Sequence, residues 1–163
     1  MEYPENLEWV ILDVPAVATA GVEIARNQDS RGLSFITEIS STLSPWTVLA
    51  AGSLQFIEQH FSELLARMAA LPANLIINKM PLTDLPEFVT LQDLGPSVCP
   101  YRIFNRARFI QSIEVLGYRL VDSWTNLDFF CRIPFHPDKN LPTYSGLYFR
   151  AISISKNPPP REQ

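Results

Sequence analysis

The chain has 163 residues, of which 47% are hydrophobic and 18% are charged, and its formal net charge at pH 7 is −4. This length suits one domain, and the apolar fraction excludes an intrinsically disordered chain. The acidic balance excludes nucleic acid as the main partner, because binding phosphates needs a basic field. The longest apolar runs are far shorter than the roughly 20 residues of a membrane span, and the N-terminus lacks the apolar core of a signal peptide. The spacing of the two cysteines suggests no disulfide framework, which favours the reducing environment of the cytoplasm.

The N-terminal part of the chain predicts alternating strands and helices. The wholly apolar run Trp9–Leu12 is typical of a strand covered on both faces. Pro15 suits the first turn of a helix that extends to about Asn27. Two further short strands follow, over Leu33–Ile36 and Thr47–Ala51.

From Leu54 to Met68 the apolar residues recur with a helical period, which predicts one helix, and residues 74–78 predict another strand. Residues 79–103 contain four prolines and predict a long irregular loop. Asn105 is a typical N-cap for a third helix that ends at Gly117.

The C-terminal part predicts two strands, over residues 118–125 and 144–155, separated by a second proline-rich loop at 126–143. Because no helix separates these strands, they are predicted to pair antiparallel. We therefore expect an α/β fold: a three-layer sandwich with a mostly parallel sheet of about six strands that ends in an antiparallel pair. Residues 1–155 form one domain in this prediction, and residues 156–163 form a polar tail.

Five segments resemble the class I, Rossmann-like methyltransferases that use S-adenosylmethionine, and within them a group of bacterial enzymes often encoded near polysaccharide genes. The segments are WVILDVP (9–15), VLAAGSLQFI (48–57), LIINKMPLTD (75–84), PYRIF (100–104) and CRIPFHPDKNLPTYSGLYF (131–149). The resemblance implies S-adenosylmethionine as cofactor and methyl transfer to an oxygen or nitrogen atom of a small molecule or sugar.

One feature of that family is missing. Its first strand ends in a glycine-rich loop beside the methionine part of the cofactor, whereas the six glycines of this chain form no G-x-G pattern. The resemblance therefore implies that the chain starts just before the family's second strand, as a truncated member, a split member or a fragment. It also implies weak or no cofactor binding. To close the resulting gap we expect Trp9–Leu12 to pair directly with Thr47–Ala51, and we expect a homodimer.

The resemblance assigns candidate cofactor residues, each with a plainer alternative. Asp13 ends the first strand and resembles the acceptor of the ribose hydroxyls, although a carboxylate also suits a helix start. Glu38 matches a position near the adenine, or is an exposed loop acid. Gly52 and Ser53 match a cofactor-contacting turn, or are a plain turn and helix cap.

Candidate substrate residues lie in the two long loops. Arg102 and Tyr144 resemble substrate contacts, and His136 resembles a general base, the alternative being a solvent-exposed histidine. The spacing of Cys131 and His136, with Cys99 elsewhere, does not match a zinc pattern, so we expect no metal.

Two function hypotheses remain open from the sequence. The first is a methyltransferase, because in-line methyl transfer needs mainly proximity and orientation and no dense catalytic motif. The second is a non-enzymatic α/β remnant or subunit that associates with itself or a partner, which the missing glycine loop favours. A nicotinamide-dependent dehydrogenase is weaker, because it needs a glycine fingerprint too.

Overall fold

The computed structural model describes residues 7–40 and 44–152, which divide into two compact units, one of residues 7–40 and 67–69 and one of residues 44–66 and 70–152. The strands are β1 (Trp9–Leu12), β2 (Leu33–Ile36), β3 (Thr47–Ala51), β4 (Asn74–Met80), β5 (Leu82–Thr83), β6 (Phe88–Asp93), β7 (Val98–Asn105), β8 (Tyr118–Asn126) and β9 (Tyr144–Ala151). The helices are α1 (Pro15–Asn27), α2 (Phe61–Ala66) and α3 (Arg106–Glu114), and two 3₁₀ turns span Leu54–Phe56 and Pro137–Lys139. None of the described helices has the length and apolar character needed to cross a membrane.

The first unit is a β-α-β arrangement in which β1 and β2 pair in parallel, with Trp9 opposite Leu33. Pro15 is the first residue of α1, as predicted. Helix α1 packs closely on β2, because a Cβ atom at Gly21 would overlap the ring of Phe35. Few side chains of this unit are buried, among them Ala18 and Ile39.

The second unit contains a four-stranded sheet in the order β3-β4-β9-β8. Strands β3 and β4 are parallel, whereas β9 runs antiparallel to both of its neighbours, which confirms the predicted antiparallel pair of β8 and β9. The buried face of the sheet carries Leu75, Ile77, Leu147 and Phe149, all without solvent exposure. Helix α3 packs near β7 and β8, and its N-cap is Asn105 as predicted, with Oδ1 accepting from the Arg108 amide at 2.9 Å.

The prediction of a long loop over residues 79–103 is wrong. Most of this stretch forms strands β5, β6 and β7, which make a three-stranded sheet in the order β5-β7-β6. Residues of β6 alternate between half-buried and exposed, the period of a strand with one covered face. The prolines suggested a loop, but Pro96 lies in the β6–β7 turn, and Pro100 lies where β7 has only β6 beside it, because β5 pairs only with Phe104 and Asn105.

The single helix predicted from Leu54 to Met68 is also not formed. The stretch divides into a 3₁₀ turn, Leu54–Phe56, and the short helix α2. The His60 carbonyl accepts from the Glu63 and Leu64 amides, so α2 begins there. Leu54, Phe61 and Leu65 of the apolar stripe are nevertheless buried, whereas Ile57 and Met68 are only half-buried.

The sheet arrangement also differs from the prediction of one sheet. Within the described residues there are three sheets, with three parallel and three antiparallel strand pairs. Strand β1 pairs with β2 within the first unit, and β3 pairs with β4 within the second. The direct pairing of Trp9–Leu12 with Thr47–Ala51 stays a prediction. Residues 153–155 of the last predicted strand and the tail 156–163 lie outside the described residues.

Candidate functional site

Two of the predicted cofactor residues lie at the carboxyl edge of the β1–β2 pair in the first unit. The Asp13 amide donates to the Ile36 carbonyl at 3.1 Å, which places Asp13 directly after the ladder. Its Oδ1 accepts from the Val14 amide at 2.8 Å, at the start of α1. Glu38 follows β2 and is exposed, as Asp13 is. Two exposed carboxylates therefore follow adjacent parallel strands.

The other two predicted cofactor residues lie at the carboxyl edge of β3 and β4 in the second unit. Gly52 has φ +71°, a left-handed conformation that favours glycine, and its amide donates to the Asn78 carbonyl at 3.0 Å. Ser53 precedes the 3₁₀ turn, but its side chain makes no capping hydrogen bond. The turn after β3 therefore lies beside the last residues of β4.

At this edge β4 contains a bulge, because its register against β9 shifts between Ile77 and Met80. Lys79 lies in this bulge, and its φ of +56° is rare for a residue with a side chain. Asn78 Oδ1 accepts from the Trp124 indole at 3.1 Å and from the Asn126 amide at 2.9 Å. Bulges beside binding sites commonly redirect a side chain.

A buried pair of tyrosines lies in the same unit. The hydroxyls of Tyr101 and Tyr144 are 2.7 Å apart, and both residues are buried. Burial raises the pKa of Tyr101, and burial together with the Tyr101 hydroxyl raises the pKa of Tyr144 strongly. Burial also raises the pKa of the neighbouring Cys131 thiol. These groups are therefore neutral at physiological pH and act as hydrogen-bond partners rather than anions.

Aromatic contacts connect the tyrosine pair to the carboxyl edge of β4. The Phe129 ring lies 6.0 Å from the Tyr144 ring, and the Lys79 ammonium lies 4.7 Å above Phe129. The Phe56 ring meets Tyr101 edge-on at 5.2 Å. Gln55, in the same 3₁₀ turn as Phe56, is only 5% exposed, and its Oε1 is buried without a hydrogen-bond partner in the described part of the chain.

Arg102 has protein partners that hold it in place. Its Nη2 donates to the Glu58 carbonyl at 2.7 Å, and its Nε lies 3.8 Å from the Glu87 carboxylate. These contacts tie the segment after the 3₁₀ turn to β7. The role of Arg102 as a substrate residue stays a prediction.

His136 precedes the second 3₁₀ turn and is exposed. Its amide donates to the Ile133 carbonyl at 3.1 Å, which shapes the loop. Residues 7–40 and 44–152 contain no group of three or more side chains arranged to hold a metal ion. The role of His136 as a general base stays a prediction.

The sequence prediction missed Lys79, Gln55 and Tyr101. All three were within segments that carried the family resemblance, but only the structure brings them near Gly52 and Tyr144. A weak signal existed for Lys79, because it directly follows an apolar strand, and ligands bind at the carboxyl ends of strands in open α/β sheets. No comparable signal marked Gln55 or Tyr101.

No protein-family model matches the chain, and no curated protein matches its sequence. Solved structures do match its fold. One is 1,6-didemethyltoxoflavin-N1-methyltransferase of Burkholderia thailandensis, with bound 1,6-didemethyltoxoflavin and S-adenosylhomocysteine. The two sequences are 18% identical, the TM-score is 0.55, and the match covers 90% of this chain and 72% of that one. Another is a Listeria monocytogenes protein assigned as an S-adenosylmethionine-dependent methyltransferase. The two sequences are 11% identical, the TM-score is 0.56, and the match covers 93% of this chain and 94% of that one. The chain thus has the fold of the S-adenosylmethionine-dependent methyltransferases.

Proposed function

We propose that this protein transfers a methyl group from S-adenosylmethionine to an oxygen or nitrogen atom of a small molecule or sugar. The observation that carries the proposal is the group of polar and aromatic side chains at the carboxyl edge of β3 and β4, in a chain with the methyltransferase fold. Carboxyl ends of strands are where open α/β sheets bind their ligands.

The residues present fit part of the cofactor. Asp13 Oδ1 is taken by the Val14 amide, but Oδ2 accepts no hydrogen bond within the described residues. That oxygen suits a ribose hydroxyl, and Glu38 would lie toward the adenine. The sequence has no G-x-G pattern to hold the methionine part. The bound cofactor would supply an activated methyl group, whose transfer needs the acceptor to be held in line.

On the acceptor side, the proposal gives each candidate residue a separate task. Tyr144, neutral and hydrogen-bonded to Tyr101, would border the acceptor without adding charge. Arg102 would hold the segment around Glu58 in position. His136, in the loop before β9, would take the proton that the acceptor loses.

Calorimetric titration of the full chain with S-adenosylmethionine and S-adenosylhomocysteine tests the proposal. We expect binding weaker than low micromolar, because that affinity needs about 8 kcal/mol and each hydrogen bond nets only about 0.5–1.5 kcal/mol. Asp13→Asn should weaken binding by up to about ten-fold, because it removes one such contact, whereas Glu23→Gln, an exposed acid on α1, should leave the affinity unchanged. A low-micromolar isotherm contradicts the weak binding, and no binding at millimolar cofactor contradicts the methyltransferase proposal itself.

A second candidate function is favoured by the apolar surface of the first unit. Trp9, Val10 and Leu12 of β1 are each more than two-fifths exposed, as are Val17 and Ile24 of α1. Exposed apolar patches of this kind mark association surfaces. In this alternative the chain is a non-enzymatic α/β domain that forms a homodimer. Light scattering at high protein concentration tests it, and a clean monomer contradicts it.

A further inference from the structure

The backbone of Lys79 adopts an unfavourable conformation, which sets the direction of its side chain. A residue with a side chain costs free energy in the left-handed region, and Lys79 adopts it at φ +56°. The bulge in β4 inserts this residue opposite β9, between the buried side chains of Ile77 and Met80. Strain of this kind persists where the surrounding structure holds it, often at ligand sites.

Among the described residues, the Lys79 ammonium contacts an aromatic ring and forms no ion pair. It lies 4.7 Å from the centroid of the Phe129 ring and is only half-buried. The ion pairs among residues 7–40 and 44–152 involve Arg31, Arg102 and Arg106, and none involves Lys79. The ring attracts the cation without using its three N–H donors, which stay available for an anion.

The surroundings of Lys79 are those of a binding edge. Its Cβ and Cδ pack beside Gly52, at 3.6 Å from the position that a Cβ atom would occupy there. The Gln55 Nε2 atom lies 3.8 Å from that same position. The Lys79 side chain and the Gln55 amide nitrogen therefore both lie beside Gly52, directly after β3.

We propose that Lys79 binds a negatively charged group, a carboxylate or a phosphate, on the small molecule that accepts the methyl group. This inference rests on the proposed function and narrows its substrate class to anionic acceptors. A charge-assisted hydrogen bond between the ammonium and such a group is stronger than a neutral one, so it orients the acceptor. Lys79 is a specificity residue in this scheme and takes no proton.

A carboxylate also belongs to the methionine part of S-adenosylmethionine, so the same chemistry has two sources. An experiment separates them by titrating the full chain with glucose 6-phosphate and glucuronate, with glucose as the uncharged control, and separately with S-adenosylhomocysteine. The variants are Lys79→Met and Lys79→Gly; the second removes the cation and relieves the left-handed strain, so it keeps the fold. Lys79→Arg retains the charge.

Lys139→Met is a matched control, because the Lys139 ammonium also lies above a phenylalanine ring, 5.3 Å from the centroid of Phe88, and is also half-buried. We expect both uncharged Lys79 variants to bind at least one anionic probe about ten-fold or more weakly than the wild type, while Lys79→Arg and Lys139→Met stay close to it. Affinity for S-adenosylhomocysteine should not change.

Three results overturn the inference: a wild type that binds neither anion better than glucose, equal losses in Lys139→Met and Lys79→Met, or a loss confined to S-adenosylhomocysteine. The proposed function fails separately, since it predicts cofactor binding that depends on Asp13. If anion binding depends on Lys79 but the cofactor does not bind, the anion site is supported and the proposal of methyl transfer is contradicted.

Discussion

Strands β1 and β4 have similar sequences and very different surroundings. Both contain an uninterrupted apolar run, WVIL in β1 and LII in β4. Leu75 of β4 is 0% exposed, whereas Leu12 of β1 is 43% exposed. Strand β4 has a hydrogen-bonded strand on each side, β3 and β9, whereas β1 has one strand partner in the described part of the chain. An apolar run therefore predicts a strand, and its neighbours decide how much it contributes to stability.

The largest expected effect comes from truncating the same residue type in the two strands. Leu75→Ala should lower the free energy of unfolding by about 2–5 kcal/mol, because it removes fully buried methyl groups and leaves a cavity. Leu12→Ala should lower it by less than about 1 kcal/mol, because its side chain is already partly in water. Urea unfolding of both variants measures the difference, and equal losses would show that β1 is buried in solution.

Alkaline unfolding should distinguish the two regions by their tyrosines. Tyr118 of β8 is buried, donates to the Pro72 carbonyl at 2.7 Å, and burial raises its pKa to about 12. Between pH 10 and 12 the unfolded chain binds fewer protons than the folded one. The free energy of unfolding should therefore fall over this range as pH rises, by about 2–3 kcal/mol from Tyr118 alone.

Tyr118→Phe checks this assignment. It should cost about 1 kcal/mol at pH 7, because the Pro72 carbonyl loses its donor, and should reduce the alkaline slope. Residues 7–40 contain no tyrosine. When Trp46 and Trp124 are replaced by Phe, fluorescence reports on the surroundings of Trp9 alone. It should show no loss of stability at alkaline pH that originates in residues 7–40. An unchanged slope in Tyr118→Phe would contradict the prediction.

Glycine replacements compare how closely the two regions are packed. A Cβ atom at Gly146 would overlap the Trp124 ring, so Gly146→Ala should cost about 1–3 kcal/mol, and adding Trp124→Ala should relieve that overlap. Gly21→Ala would overlap the Phe35 ring in the first unit. It should cost less, because alanine favours the helix by about 1 kcal/mol and Phe35 is only half-buried. Thermal unfolding with a double-mutant cycle measures both.

The smallest effect has the opposite sign. Lys79→Gly should stabilise the fold by about 1 kcal/mol, because glycine adopts φ +56° without the penalty of a side chain. Asp29→Gly, at φ +47° in the first unit, offers a comparison at an exposed position. Destabilisation by Lys79→Gly in urea unfolding would show that the contact with Phe129 outweighs the strain.

Local chemistry alone was enough to predict several elements. The bounds of β1, β2 and β3 match the prediction because each is a short, mostly apolar segment followed by a polar or turn residue. Helix α1 starts at Pro15, whose fixed φ suits a first turn, and Asn105 caps α3 through a contact three residues away. The pairing of β8 with β9 followed from the absence of a helix between them.

Only the tertiary structure decided the rest. Strand β7 forms despite Pro100, because β5 pairs only with Phe104 and Asn105, so β7 has a neighbouring strand on one side only at the proline. Tyr101 and Tyr144 meet across 43 residues, and Lys79 reaches Phe129 only because a bulge redirects it. Sequence patterns report contacts within a few residues, whereas this candidate site consists of contacts between distant segments, whose free energy depends on how the whole sheet packs.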